Sequence, residues 1–384
     1  MIVNYEFLVN EPLDNLITCL NYAVDRVVYF GYERTITRHM MTLKHFLSKR
    51  CGIEDVTFIE LPEYKLGDTL RIIESEIRRS LSQNDDIYFD ITSGDSVSIL
   101  AFGILSGRYH LPVHTFDVKA NKVIDLTRST RRISRDVPKR KISLDIESYI
   151  EMRGGVINYR MRKNLKSSTD PQFMRDVNEI WKIAKKYSSV WTVFSDFIKK
   201  EMIPDGNLTV RQDGNDIMRA LKKSGEKFKD PSLLNAILSD LDTAGIIRTL
   251  KHKEGDYAFK FKNRKVKDCI WDAGAVLEFH VYQKLKRQVD DCAIGVHLDW
   301  DGIINQSRNT DVLNEVDVLA VKDNMISFIS CKFGTPNKTA LYELDTVVRR
   351  FGGKYAHKAL FTLGEVSEVD RIRANEMLID IYNE

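Results

Sequence analysis

The sequence has no paired cysteines. Its five (Cys19, Cys51, Cys269, Cys292 and Cys331) are scattered and no CxxC pair occurs, which argues against a disulfide framework and a zinc–cysteine site and fits reduced thiols. Long apolar runs are missing too: nothing approaches the roughly 18 apolar residues of a membrane span. The opening MIVNYEFLVN lacks the basic stretch and apolar core of a secretory signal. A soluble cytoplasmic protein without a membrane partner is therefore expected. An excess of one charge is also absent. The 58 Lys and Arg against 55 Asp and Glu leave a net +3, so composition does not argue for a nucleic-acid partner, and only local patches could. There is no internal repeat and no low-complexity tract. What is present is ordinary globular material: 384 residues, 43% hydrophobic and 29% charged, enough for two or three domains.

Three stretches follow different patterns. To about residue 127, short apolar runs (YEFLV, RVVYF, DVTFI, DIYFD, PVHTF) alternate with helical patterns at Leu13–Val24, Arg34–Arg50, Leu66–Ser82 and Val97–Arg108. That alternation predicts an α/β, Rossmann-like parallel sheet covered on both faces, with ligands at the carboxyl ends of its strands. Residues 128–141, RSTRRISRDVPKRK, carry seven basic residues against Asp136. They read as a solvated connector or as a phosphate-contacting strip. Helical patterns at Phe173–Tyr187, Val190–Lys200 and Leu233–Ala244 lead into two strand-like runs around Glu254-Gly255-Asp256. Helices followed by a hairpin resemble a winged helix. From about 266 the order is helix (Trp271–Arg287), strand (Ala293–Trp300), hairpin, helix (Lys338–Phe351), strand (His357–Leu363), helix (Ser367–Ile379).

The hairpin carries chemistry. In NEVDVLAVKDNMISFISCKFG, Glu315 and Asp317 share a strand face with Leu313 and Leu319, because side chains repeat every two residues. Asp323-Asn324 is turn chemistry. On the return strand, Met325–Cys331, Ser330 and the following Lys332 share a face with Ile326 and Phe328. Aligned faces would bring two carboxylates and an ammonium together. Hard oxygen ligands of this kind suit Mg²⁺ or Mn²⁺. Each residue also has a plain explanation: a strand-end lysine, a solvated helix acid, charges that keep an edge strand from pairing.

At the other end of the chain, YFDITSGDSVSIL places Thr92, Ser93, Gly94, Asp95 and Ser96 between a strand and a helix. Such residues leave backbone N–H groups open to an anion at a helix N-terminus, or simply cap the helix.

The element order of the C-terminal part, with acids on its second strand and a lysine ending the third, resembles the PD-(D/E)xK nuclease core. The resemblance implies Asp317 as central metal ligand, Lys332 as catalytic lysine and Glu278, in WDAGAVLEFHVYQKL, as helix glutamate beside the stripe Leu277, Val281, Leu285. The family's acid two residues before the lysine is here Ser330, so Glu315, Asp299 or Asp301 would supply the missing carboxylate. A Rossmann-like domain with a T-x-G loop, a winged spacer and this core together resemble the CRISPR-associated Rossmann fold (CARF) effector nucleases. That implies a CARF sensor at 1–141, a connector at 142–265 and a nuclease domain at 266–384. It also implies a homodimer that binds a cyclic oligoadenylate, with the tetra-adenylate the first expectation, through Asn10, Gly31, Thr92, Ser93, Gly94, Asp95 and Ser96. The ligand would switch on metal-dependent cleavage of RNA or DNA in type III CRISPR antiviral defence. The competing expectation is a ligand-sensing transcription regulator whose nuclease core has degenerated.

Overall fold

Strands rich in Val, Ile, Tyr and Phe are short enough to be spanned by the helices that follow them, and the first 127 residues fold accordingly. The computed structural model describes all residues except 128–129, 162–165, 167–169, 206–207, 225–227, 254–255 and 301–312. The chain divides into two compact units. The first is Met1–Gly155 with the turn segments Asp323–Met325 and Gly353–Tyr355; the second holds the remaining residues from Val156 onward.

In the first unit the order is β1 (Ile2–Phe7), α1 (Ile17–Asn21), β2 (Arg26–Gly31), α2 (Glu33–Phe46), β3 (Asp55–Glu60), α3 (Leu66–Ser82), β4 (Asp86–Asp90), α4 (Ser96–Tyr109), β5 (Val113–Asp117), β6 (Lys122–Asp125), α5 (Ile133–Asp136) and α6 (Ile146–Glu151). The strands form one sheet in the order β3-β2-β1-β4-β5-β6. β1 to β5 pair in parallel and β6 runs antiparallel to β5. β1 and β4 are neighbours although the chain visits β2 and β3 between them. The winding direction therefore switches there, and the carboxyl ends of β2, β1 and β4 open onto one crevice. Tyr5, Phe30, Phe89 and Phe102 pack the core beneath it. The expected helix Leu13–Val24 is shorter: Tyr22 takes an extended backbone and bridges to Lys139. Within the basic strip, Arg131 bonds Asp86, Arg135 pairs with Asp136 and Arg140 donates to the Cys51 carbonyl. These bonds hold the strip against its own unit and favour the connector reading.

The second unit contains β7 (Val156–Ile157), α7 (Pro171–Lys186), α8 (Trp191–Glu201), β8 (Pro204–Asp205), β9 (Thr209–Gln212), α9 (Gly214–Lys223), α10 (Pro231–Thr243), β10 (Ile247–Lys253), β11 (Asp256–Phe261), α11 (Arg264–Trp271), α12 (Ala275–Leu285), β12 (Asp291–Asp299), β13 (Leu313–Lys322), β14 (Met325–Lys332), α13 (Lys338–Phe351), β15 (His357–Thr362), α14 (Glu368–Glu376) and β16 (Ile379–Asn383). Helices α9 and α10 beside the sheet β10-β11-β9-β8 make the winged arrangement. The larger sheet runs β16-β15-β14-β13-β12-β7. Asp323 and Asn324, both at positive φ (50° and 63°), turn β13 into β14, as a two-residue hairpin requires. The helix expected at Trp271–Arg287 is shorter, Ala275–Leu285: Trp271 is the last residue of α11, and Asp272 leaves the helical region before Gly274 starts α12. The helix expected to reach Ile379 stops at Glu376. Leu378 adopts φ 55° there and the chain becomes β16. One hydrophobic cluster joins residues of α7, α8 and α10 to α12, β14 and β15. No helix among the described residues is long and apolar enough to cross a membrane.

Candidate functional site

Alternation along β13 sends Val316 and Val318 into the core and turns Glu315 and Asp317 to the other face. The register pairs Ile294 with Val318, Val296 with Val316 and His297 with Glu315, which puts Gly295 across from Asp317. From β14, the Cys331 amide donates to Asp317 Oδ2 at 2.7 Å and the Ser330 hydroxyl donates to the same oxygen at 3.3 Å. Lys332 Nζ lies 3.8 Å from that oxygen and its side chain is 40% exposed. A cavity of about 80 Å³ opens here, lined by Glu315, Asp317, Ser330 and Lys332 from the hairpin and by Glu343 from α13. Four of the residues expected from the sequence are thus brought together. Glu343, unremarkable in its helix, adds a carboxylate that the strand pattern could not reveal.

Glu278 is buried, not merely beside the buried stripe of α12. It meets the others through a residue that sequence reasoning missed. Lys166 Nζ stands 2.5 Å from Glu278 Oε2 and donates a hydrogen bond to Glu315 Oε1 at 2.6 Å. The contact with Glu278 is ionic but not aligned as a hydrogen bond, so Oε2 is a buried oxygen without an aligned donor. Burial works against the Lys166 charge, but Glu278 and Glu315 outweigh it and hold its proton more tightly than usual. Burial, with the nearby Asp317 charge, pushes the Glu278 carboxyl up to about 7, and Lys166 opposes that rise.

These oxygens suit a divalent ion: they are hard, negatively charged, and one is buried with only a cation beside it. Among the described residues no three His, Cys, Asp or Glu side chains are grouped tightly enough to hold a metal. Asp299 is buried at the end of β12 and does not line the cavity. Asp301 lies outside the described residues.

In the first unit, the loop after β4 is built by its own side chains. Asp90 accepts the Thr92 amide at 2.7 Å, and the Thr92 hydroxyl accepts the Phe116 amide at 2.8 Å. Gly94 sits at φ 146°, where a Cβ would press Ser98 Oγ at 3.1 Å and Ile99 Cγ1 at 3.2 Å. Asp95 caps α4 by accepting the Val97 and Ser98 amides, and Tyr32 OH donates to its other oxygen. Ser93 leans on the Phe7 carbonyl at 3.4 Å, and Ser96 is exposed as the first residue of α4. Asn10 is exposed after β1 and contacts His39 at 3.1 Å. Gly31 ends β2, where an added Cβ would stand 3.0 Å from Leu8 Cβ. All seven residues lie at the carboxyl ends of adjacent strands.

Residues 268–384, from within α11 to the last strand, match the Card1-like endonuclease domain family. The β13–β14 hairpin described above falls inside that match. Over the whole chain the fold is similar to protein VC1899 from Vibrio cholerae, with a TM-score of 0.73 and 18% identity, covering 100% of this chain and 94% of that one. It is similar also to Can2 from Sulfobacillus thermosulfidooxidans, solved in complex with cyclic tetra-adenylate, with a TM-score of 0.67 and 15% identity over 100% and 96% of the two chains. A type III CRISPR defence DNA nuclease activated by cyclic oligoadenylate matches at TM-score 0.52 and 13% identity, over 94% of this chain and 45% of that one. No curated protein matches the chain in sequence. The C-terminal part is thus similar to the Card1-like endonuclease domain family, and the fold of the whole chain is shared with VC1899 and Can2.

Proposed function

We propose that this protein is an endonuclease switched on by a cyclic oligoadenylate, with cyclic tetra-adenylate as activator, that cleaves RNA or DNA with Mg²⁺ or Mn²⁺ in type III CRISPR antiviral defence. The observation that carries this is the joining of two sites in one chain. A strand-end crevice with a helix N-terminus lies in the first unit, and an acid–lysine hairpin lies in an endonuclease domain. Backbone N–H groups of residues 92–96 and the start of α4 suit phosphates. Asn10 at the neighbouring strand end offers an amide to bases or ribose. In the nuclease site Asp317, Glu315 and Glu278 would hold the metal. When bound, the ion supplies positive charge that stabilises the phosphate under attack. Lys332, a partly exposed lysine on the rim of the same cavity, presents its ammonium to the same phosphate.

A homodimer is part of the proposal. α4 exposes Ile99, Leu100 and Ile104, with Gly103 and Gly107 open beside them, an apolar strip suited to a second copy. Ser330 supports a second reading, a ligand-sensing regulator with an inactive core, because it donates to Asp317 where an acid would bind metal. The deciding experiment incubates labelled RNA and single-stranded DNA with the protein and Mn²⁺, with and without cyclic tetra-adenylate. Cleavage only in its presence supports the endonuclease. Ligand binding without cleavage at any metal concentration supports the regulator.

A further inference from the structure

Lys166 is seated as if the nuclease site were built around it. Its ammonium touches Glu278 from α12 and Glu315 from β13, at 2.5 and 2.6 Å, and its side chain is 2% exposed. The stem runs along Gly295: a Cβ there would stand 3.2 and 3.3 Å from Lys166 Cβ and Cγ, and closer still to Cδ. Gly295 also holds φ 60°, a left-handed conformation that glycine adopts without cost. Only a residue without a side chain leaves that channel open. Two carboxylates, one of them buried, need a cation nearby in the resting protein. Lys166 supplies it.

We propose that Lys166 is an internal competitor for the metal: its ammonium holds the seat between Glu278 and Glu315, and a divalent ion takes those oxygens only after Lys166 has withdrawn. This rests on the metal dependence proposed above. An ammonium and a divalent ion placed on the same pair of oxygens at such distances repel each other, so the two compete for them. The arrangement also accounts for the lack of a ready metal cage among the described residues.

The test is Mn²⁺ binding by calorimetry to the wild type and to Lys166→Met, which keeps an unbranched stem and removes the charge. The variant should bind at least about tenfold more tightly. In the wild type, an amine-specific reagent read by mass spectrometry should label Lys166 slowly without Mn²⁺ and faster at saturating Mn²⁺. This measurement needs no variant to fold. Equal or weaker binding by Lys166→Met, or a lysine that stays protected at saturating metal, overturns the proposal while leaving the metal site standing. If neither protein binds Mn²⁺, the metal reading fails and this proposal with it.

Discussion

At Asp317, Oδ2 already accepts the Cys331 amide and the Ser330 hydroxyl, so the carboxylate is fixed before any metal arrives. Asp317→Ala should lower cleavage by about 100-fold or more while leaving activator affinity unchanged. Glu315→Gln keeps the shape and removes the charge. It should raise the Mn²⁺ concentration needed for cleavage on the order of tenfold, and Ser330→Glu should lower it. A metal titration of the three variants checks this, and an unchanged requirement in Glu315→Gln would remove that residue from the site. The acids and Lys332 were legible because strand alternation fixes the facing of every second residue. Lys166 was not, since it lies outside any periodic element and only tertiary packing over Gly295 gives it a role. Asp90 in the first unit offers a pH test. Burial alone would raise its carboxyl, but His114 at 3.5 Å and bonds from Thr18 and Thr92 hold it below its ordinary value of 3.8. A depressed folded value means that the unfolded chain takes up the proton first. The stabilisation is thus present above pH 3.8 and is lost as pH falls through the lower folded value. Denaturant titrations in the acid range should show a shallower loss of stability in Asp90→Asn than in the wild type.

In the loop and helix that follow β4, Asp95 has both oxygens occupied, one by the α4 amides of Val97 and Ser98 and the other by the Tyr32 hydroxyl. Asp95→Ala should cost about 1 kcal/mol of stability, the usual worth of such a cap, measured by urea denaturation. Gly94→Ala forces a side chain into φ 146° against Ser98 and Ile99. Combined with Thr92→Ala, which frees the Phe116 amide, it should weaken cyclic tetra-adenylate binding by about tenfold or more, with Mn²⁺ affinity intact. Calorimetry with the nucleotide decides, and unchanged affinity would clear this loop of a binding role. At this scale the sequence was most readable where apolar runs were bounded by turn residues: all five expected strands of the first unit appear. It was least readable where a helix pattern concealed a break, as at Asp272–Gly274, or where β16 followed a helix after one left-handed residue.

For the molecule as a whole, alternating strand and helix signals were enough to specify a parallel α/β sheet followed by a second α/β sheet, because a parallel strand needs a covering crossover helix. The packing of α7 and α8 against α11 and α12 was not foreseeable, since it depends on side chains far apart in sequence. Phe173 meets Phe279 edge to face at 5.3 Å, Trp181 stacks on His280 at 4.2 Å, and the Ser195 hydroxyl donates to the Ile270 carbonyl at 2.5 Å. Residues 268–384 expressed alone should therefore aggregate or stay protease-sensitive, whereas 156–384 should resist proteolysis; a stable 268–384 fragment would show that the shared core is dispensable. The same packing bears on inheritance. A gene segment that encodes only the endonuclease family match would carry away half of a core, with its aromatic partners left behind. Recombination that trades C-terminal domains between such proteins would succeed only at junctions upstream of α7, so the segment from α7 onward travels with the C-terminal domain as one heritable block, and the first unit is the part free to be exchanged.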